Sequence, residues 1–395
     1  MAGAKQVLIL GGGFGGLTSA NLIRKSLSQE ECEITVVDKY QYFMMGLVNL
    51  WILSGSRKLE DSQVALNNLQ DKGIKFLNDE ITNIDPSENR VTIKTNPNKL
   101  KYDYLVVALG AEIAPELIDG FEDNDESCFN VYDAKQVPHL REKILSLKSG
   151  RVVVCIADIP YKCPPAPYEV SLLINDILVK NATRDSIDLN MYVPTPIALP
   201  VAGPTMSQDV VKLLNNNHIN FHPLHKLKRV SDKKTIEFEN GNKTSYDVLV
   251  MIPPHQVPKI IKDSNLLGDG DQHWINVDRF TLRTKYKNVF AIGDVTEIRF
   301  DQTTTIPKAG IFAEGEAKIV SQQIINEIKN INSKKAVKFD GKGFCFMEIG
   351  DKKAGYIDTD FYNEAGPITR LDPPSVEFYQ KKLDFERSRL NEWLM

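Results

Sequence analysis

Hydrophobic positions along the chain fall into short unbroken runs, separated by polar turns and by segments of helical spacing. "QVLIL" at 6–10 has strand length, and "LTSANLIRKSL" at 17–27 spaces its apolar residues helically. "CEITVVD" (32–38) and "YDYLVVALGAE" (102–112) carry further strand runs. Runs with no polar alternation predict strands buried on both faces, as in a parallel sheet covered by helices. The pattern then repeats. "IKFLNDEITNIDPSENRVTIKT" (74–95) resembles "INFHPLHKLKRVSDKKTIEFEN" (219–240), and "KYDYLVVALG" (101–110) resembles "SYDVLVMIPP" (245–254), both at an offset of about 145 residues. The same shift places Val7 on Val152, in "RVVVCIAD". An α/β fold with two Rossmann-like dinucleotide-binding units is predicted.

The two copies differ where a phosphate would bind. In the first, "GGGFGG" follows the strand, and Gly11, Gly13 and Gly16 fit G-x-G-x-x-G, with Phe14 and Gly15 inside the motif. Those glycines allow a tight turn, close approach of backbone to a pyrophosphate, and close packing of helix on strand. Asp38, followed by Lys39, ends the second strand where an acid can accept a bond from a ribose hydroxyl. A ligand-free glycine-rich turn would not need strand, loop, helix, strand and acid in this order. In the second copy the shift puts Gly11 on Ile156, Gly13 on Asp158 and Gly16 on Tyr161, and "PYKCPPAPYE" (160–169) supplies prolines instead. Side chains obstruct the close approach and each proline removes an amide donor. A nicotinamide dinucleotide is therefore not expected to bind here in the usual way.

Composition narrows the reading. The 395 residues are 42% hydrophobic with a net charge of −4, which leaves no basic field for nucleic acid. "MAGAKQVLIL" runs straight into a strand, and "FMMGLVNLWIL" is too short and interrupted to span a bilayer, so an intracellular, cytoplasmic protein is expected. Five cysteines, an odd and sparse set, do not suggest a structural disulfide framework. The three histidines of "NHINFHPLH" tempt a metal reading, but Pro223 interrupts them and the repeat makes the stretch strand and turn, so no metal is expected.

"YDYLVVALGAE", with Ala108 and Gly110, and "NVFAIGDVTE", with Gly293 and Asp294, resemble the secondary motifs of FAD oxidoreductases with two dinucleotide domains, the glutathione-reductase-like fold. That resemblance implies FAD at the first site, with Asp294 on its ribityl chain. More specifically, "PYKCPPAPYE", "GFCFMEIGDKKAG" (343–355), "SCFNVYDAKQ" (127–136) and "IPKAGIFAE" (306–314) resemble segments of the sulfide:quinone oxidoreductases and the flavoprotein of flavocytochrome c sulfide dehydrogenases. The resemblance implies an FAD-dependent enzyme oxidising sulfide or a small thiol, with a quinone as acceptor. It implies that Cys163 and Cys345 form a redox disulfide, which hydrosulfide opens to a persulfide and a thiolate. Glu169 would carry protons, and Lys308, beside Ala309, would support reduced flavin or a quinone carbonyl. Each has a plainer reading: Cys163 and Cys345 as small hydrophobes, Glu169 as an acid favoured at a helix N-terminus, Lys308 as a solvated lysine. Cys128 matches a third family cysteine, but the histidine often found near it is absent, leaving functional and structural roles open. Cys32 and Cys155 read as structural.

The resemblance further implies an FAD domain at 1–115 and 262–335, a second Rossmann-like domain without its NAD fingerprint at 116–261, and a C-terminal segment, 336–395, with an amphipathic helix. In that tail Val376, Tyr379, Leu383, Leu390 and Leu394 form one stripe, compatible with a membrane interface, with docking on the protein's own core, or with a homo-oligomer. Membrane contact would make the protein peripheral on the inner face of the cell membrane. Two other functions stay open: an NADH:quinone, thiol or persulfide oxidoreductase, and a non-catalytic redox sensor that binds FAD.

Overall fold

The repeat emerges as two parallel five-stranded sheets of matching order. The computed structural model describes residues 3–96, 99–121, 126–232, 234–267, 273–301, 304–331 and 337–395. The elements that position the site are, in chain order, β1 (Lys5–Leu10), α1 (Phe14–Ser26), β2 (Cys32–Asp38), α2 (Val48–Ser54), β3 (Lys75–Asn78), β4 (Tyr104–Val107), β5 (Cys128–Asn130), β6 (Gly150–Ile156), α3 (Ala166–Lys180), β7 (Ile187–Tyr192), β8 (Asn220–His222), β9 (Val248–Ile252), β10 (Val289–Ala291), α4 (Gly310–Ile328), β11 (Lys342–Gly350), β12 (Lys353–Asp360), β13 (Ile368–Ser375) and α5 (Val376–Leu394).

The first sheet runs β10-β4-β1-β2-β3 and the second β5-β9-β6-β7-β8. Every pairing within them is parallel. β1 and β6 occupy the same central place, as the sequence offset predicts. Their apolar runs Val7–Leu10 and Val152–Ile156 are buried, which explains why neither alternates with polar residues. A three-stranded antiparallel sheet follows at equivalent places in each unit, within 81–101 and 227–245. β10 returns to the first sheet after the second is complete. The expected boundary at 335/336 lies outside the described residues.

β11, β12 and β13 form an antiparallel sheet. From it α5 turns back over the first unit, its N-terminus capped by Ser375, whose Oγ accepts from Phe378 N at 3.2 Å. At the other end Asn21, Asn68 and Lys72 donate to the carbonyls of Trp393, Leu394 and Glu392, so side chains of the first unit satisfy the last turn. The inward face keeps part of the apolar stripe read from the sequence, since Leu390 and Leu394 are buried and Leu383 packs against the core. It carries Lys382, Glu386, Leu390, Trp393 and Leu394, while Val376 is 59% exposed. Charges face inward because each meets a partner: Arg57 grips Glu386 through two bonds of 3.1 and 3.0 Å, and Lys382 meets two carboxylates. Among the described residues no helix is long and apolar enough to cross a membrane.

Candidate active site

The loop after β1 is built for close approach. Gly11 adopts φ +104°, and a Cβ there would run into the Ala108 carbonyl. A Cβ on Gly16 would overlap the Gly11 carbonyl, so α1 can lie this near β1 only without one. Gly12 N donates to Asp38 Oδ2 at 2.6 Å and Tyr40 N to Oδ1 at 2.8 Å, which holds the acid on the loop, while burial raises its pKa. Lys39 points away, 3.9 Å from Glu112 and over the Tyr40 ring, and does not reach the cavity. We expect Gly16→Ala to purify with little or no flavin, read from the ratio of flavin to protein absorbance. Full flavin occupancy would contradict the packing argument.

Beside this loop lies a cavity of about 430 Å³, lined by Gly13, Phe14, Gly15, Ala108, Gly110, Gly293, Asp294, Lys308 and Ala309 among others. Every one of these was a sequence candidate. The Asp294 carboxyl faces the cavity with no hydrogen-bond partner among the described residues, and burial raises its pKa. An unpaired, half-buried carboxyl suits a polyol ligand that can donate to it. Glu316 accepts from Gly293 N at 2.6 Å and is pushed up to about 7 by burial. α4 aims its N-terminus here from Gly310. The residues therefore fit FAD: glycine backbone for its pyrophosphate, Asp38 for a ribose hydroxyl, Asp294 for the ribityl chain. Lys308 is not solvated. Its Nζ donates to the carbonyls of Asp294 (2.7 Å) and Thr296 (3.0 Å), lies 3.3 Å from the Trp274 ring centre, and is lowered to about 8 by burial.

The matching loop of the second unit does something else. α1 begins four residues after β1 ends, at Phe14, whereas α3 waits until Ala166, and residues 157–165 form an extended loop. Cys163 sits in it at φ +53°, a region that side chains seldom adopt, held by a 2.7 Å bond from its N–H to the Lys308 carbonyl. β11 brings in Cys345, and the two thiols are neighbours on the cavity wall. The Cys345 thiol, and then burial, raises the Cys163 pKa. Glu169, in the first turn of α3, is buried, and its Oε1 accepts from Glu348 N and from Lys382 Nζ, both at 2.8 Å. Lys382 Nζ also donates to Glu348 Oε2 at 2.9 Å, an oxygen that accepts from Trp51 Nε1 as well. Burial raises the Glu169 pKa, against the pull of Lys382. Burial alone would lower Lys382, but the two carboxylates raise it.

Cys128 does not join this group. It is buried on β5, its Sγ 3.1 Å from the Tyr246 hydroxyl, in the apolar core of the second unit and off the cavity wall. Its strand pairs with β9 and faces the sheet interior, which no local motif reveals. Burial pushes Cys32 up to about 11 and Cys155 to about 12, as befits structural thiols. At the carboxyl ends of β7 and β8, where such a sheet would hold a dinucleotide, His222 stacks on Tyr192 at 4.3 Å and His225 meets Phe238 at 4.9 Å. Side chains, not glycine backbone, line that crevice. Sequence reasoning missed Lys162, Glu348, Lys382 and the cavity aromatics Phe344 and Phe385. Lys162 alone had a signal, its place before Cys163.

The model of the pyridine nucleotide-disulphide oxidoreductase family matches residues 5–155 and 191–317. The chain belongs to this family. Within it the chain groups with the sulfide:quinone oxidoreductases. It is 28% identical over 371 residues to the sulfide-quinone reductase of Aquifex aeolicus, covering 90% of this chain and 84% of the relative. It is 30% identical over 356 residues to the mitochondrial sulfide:quinone oxidoreductase of Dictyostelium discoideum, covering 86% and 74%. The solved structure of the Aquifex aeolicus sulfide:quinone oxidoreductase superposes with a TM-score of 0.86 at 25% identity, over 99% of this chain and 92% of that one. As a pyridine nucleotide-disulphide oxidoreductase the chain keeps the first dinucleotide site and has rebuilt the second as a cysteine loop.

Proposed function

We propose that this protein oxidises sulfide at the Cys163–Cys345 pair and delivers the electrons through FAD to a quinone. The observation that carries this reading is the meeting of the two thiols on the wall that also bears Gly13, Gly15 and Asp294. With the pair oxidised, hydrosulfide attacks one sulfur. The S–S bond breaks, leaving a persulfide on one cysteine and a thiolate on the other. FAD, when bound, supplies the two-electron acceptor and the route to the quinone. Glu169, a buried carboxyl of raised pKa beside Cys163, holds or moves the proton that sulfide brings. Phe344 and Phe385 line the cavity with ring centres 5.5 Å apart, and apolar faces of this kind accept a planar quinone ring. Both belong to the C-terminal segment, where Ile368 and Val376 are exposed, and this face would rest on the inner surface of the cell membrane that holds the quinone.

The test is an anaerobic titration of the oxidised, FAD-loaded protein with sulfide and, separately, with NADH, following flavin absorbance. Bleaching by sulfide and not by NADH is expected. Bleaching by NADH alone would overturn the reading and mean that the second unit binds nicotinamide without glycines.

A further inference from the structure

Three lysines face the cavity, and two are taken. Lys308 donates to the carbonyls of Asp294 and Thr296, and Lys382 to Glu169 and Glu348. Lys162 is different. Its backbone is fixed, because Tyr132 Oη donates to its carbonyl at 2.6 Å. Its ammonium faces the cavity 5.5 Å from the Tyr132 ring centre, with no acceptor within hydrogen-bond reach among the described residues. The side chain is half-buried, and burial lowers its pKa while the charges of Asp294 and Cys163 oppose that. An ammonium held at a cavity wall with no counter-charge bonded to it is costly, and a ligand anion removes the cost.

The charges around Cys163 explain the need. Cys345 faces it from β11, Glu169 from α3 and Lys382 from α5, while Tyr132 and Tyr161 sense the Cys163 charge. Asp294 lies across the cavity wall. A monoanion approaching Cys163 meets two carboxyls, and among the described residues the one side-chain cation bonded to either of them is Lys382, on Glu169. The reaction proposed above nevertheless requires an anion to reach this sulfur.

We propose that Lys162 is a docking site for a small monoanion, and that in the sulfide reaction it holds hydrosulfide in position to attack Cys163 Sγ. The persulfide then forms on Cys163, and Cys345 leaves as the thiolate. The inference rests on the sulfide reading only for the identity of the anion, so the two can be tested apart.

The first readout needs no turnover. The reduced protein is alkylated with iodoacetate, an anion, or with iodoacetamide, its neutral analogue, and modification of Cys163 is counted by mass spectrometry. The thiolate fraction cancels in the ratio of the two rates, leaving the local charge. Lys162→Gln is expected to lower the iodoacetate preference about tenfold, the equivalent of one lost ion contact, and Lys162→Arg to keep it within about twofold. In the FAD-loaded enzyme, Lys162→Gln should raise the sulfide concentration for half-maximal flavin reduction about tenfold at an unchanged limiting rate. Thiocyanate should compete with sulfide in the parent and not in the variant. An alkylation ratio equal in parent and Lys162→Gln overturns the proposal. So does loss of FAD from Lys162→Gln with retention in Lys162→Arg, which would make the lysine a counter-ion for Asp294. A changed ratio in a protein that sulfide cannot reduce supports the anion site and sinks the sulfide reading alone.

Discussion

Cys163→Ser is expected to keep its FAD and to lose sulfide-driven flavin reduction by roughly three orders of magnitude or more. Serine fills nearly the same volume, so the loop and its bond from residue 163 N–H to the Lys308 carbonyl should persist. The glycine loop and Asp294, which would hold the cofactor, come from other segments. What disappears is the sulfur that can be oxidised to a disulfide and can carry a persulfide. Cys345→Ser should behave alike, since a disulfide needs both partners, and the double variant should be no worse than either single one, as for residues that act as a unit. Stopped-flow reduction of each FAD-loaded variant by sulfide decides the matter. Near-parent rates in either would sink the cysteine mechanism.

Lys382→Met is expected to cost about 3–5 kcal/mol of folding stability. The methionine fills the space of the lysine stem but leaves Glu169 and Glu348 buried face to face with no cation. The remaining donors, Glu348 N–H and Trp51 Nε1, are neutral. The variant should therefore hold a proton on Glu169 more tightly folded than unfolded. Glu169 is already raised by burial with Lys382 present, and its removal raises it further. A carboxyl whose folded pKa lies above its unfolded value favours folding below the unfolded pKa, near 4.3 for Glu, and loses that contribution as pH rises through the folded value. The deficit of Lys382→Met should thus be smallest near pH 4 and grow toward neutrality. Urea unfolding across that range reads it directly. A deficit below about 1 kcal/mol, or one independent of pH, would mean that the ion triad does not anchor the tail. Because Lys382 also ties α5 to the strand bearing Cys345, the destabilised variant should expose Cys345 to alkylation faster than the parent.

Whatever depends on residues close in sequence is legible from the chain alone. The apolar runs of β1 and β6, the repeat that relates them, the glycines at 11, 13 and 16, and their absence at 156, 158 and 161 are local features. Local sterics settle what they can do: a glycine admits a phosphate, and a proline withholds an amide. The tertiary structure alone decided the rest. Cys163 and Cys345 are far apart in the chain, and only the packing of β11 against α3 makes them neighbours. The sequence left Cys128 open between a functional and a structural role, and its place on β5 turns it into the core of the second unit. Hydrophobic spacing in the tail found Leu390 and Leu394 on the buried face of α5 but not the charges beside them, because that rule assumes charges lie outside. Here Lys382 and Glu386 lie inside, where buried partners from distant elements compensate them. A charge can be buried only where its counter-charge is already fixed, and the fold, not the local sequence, fixes it.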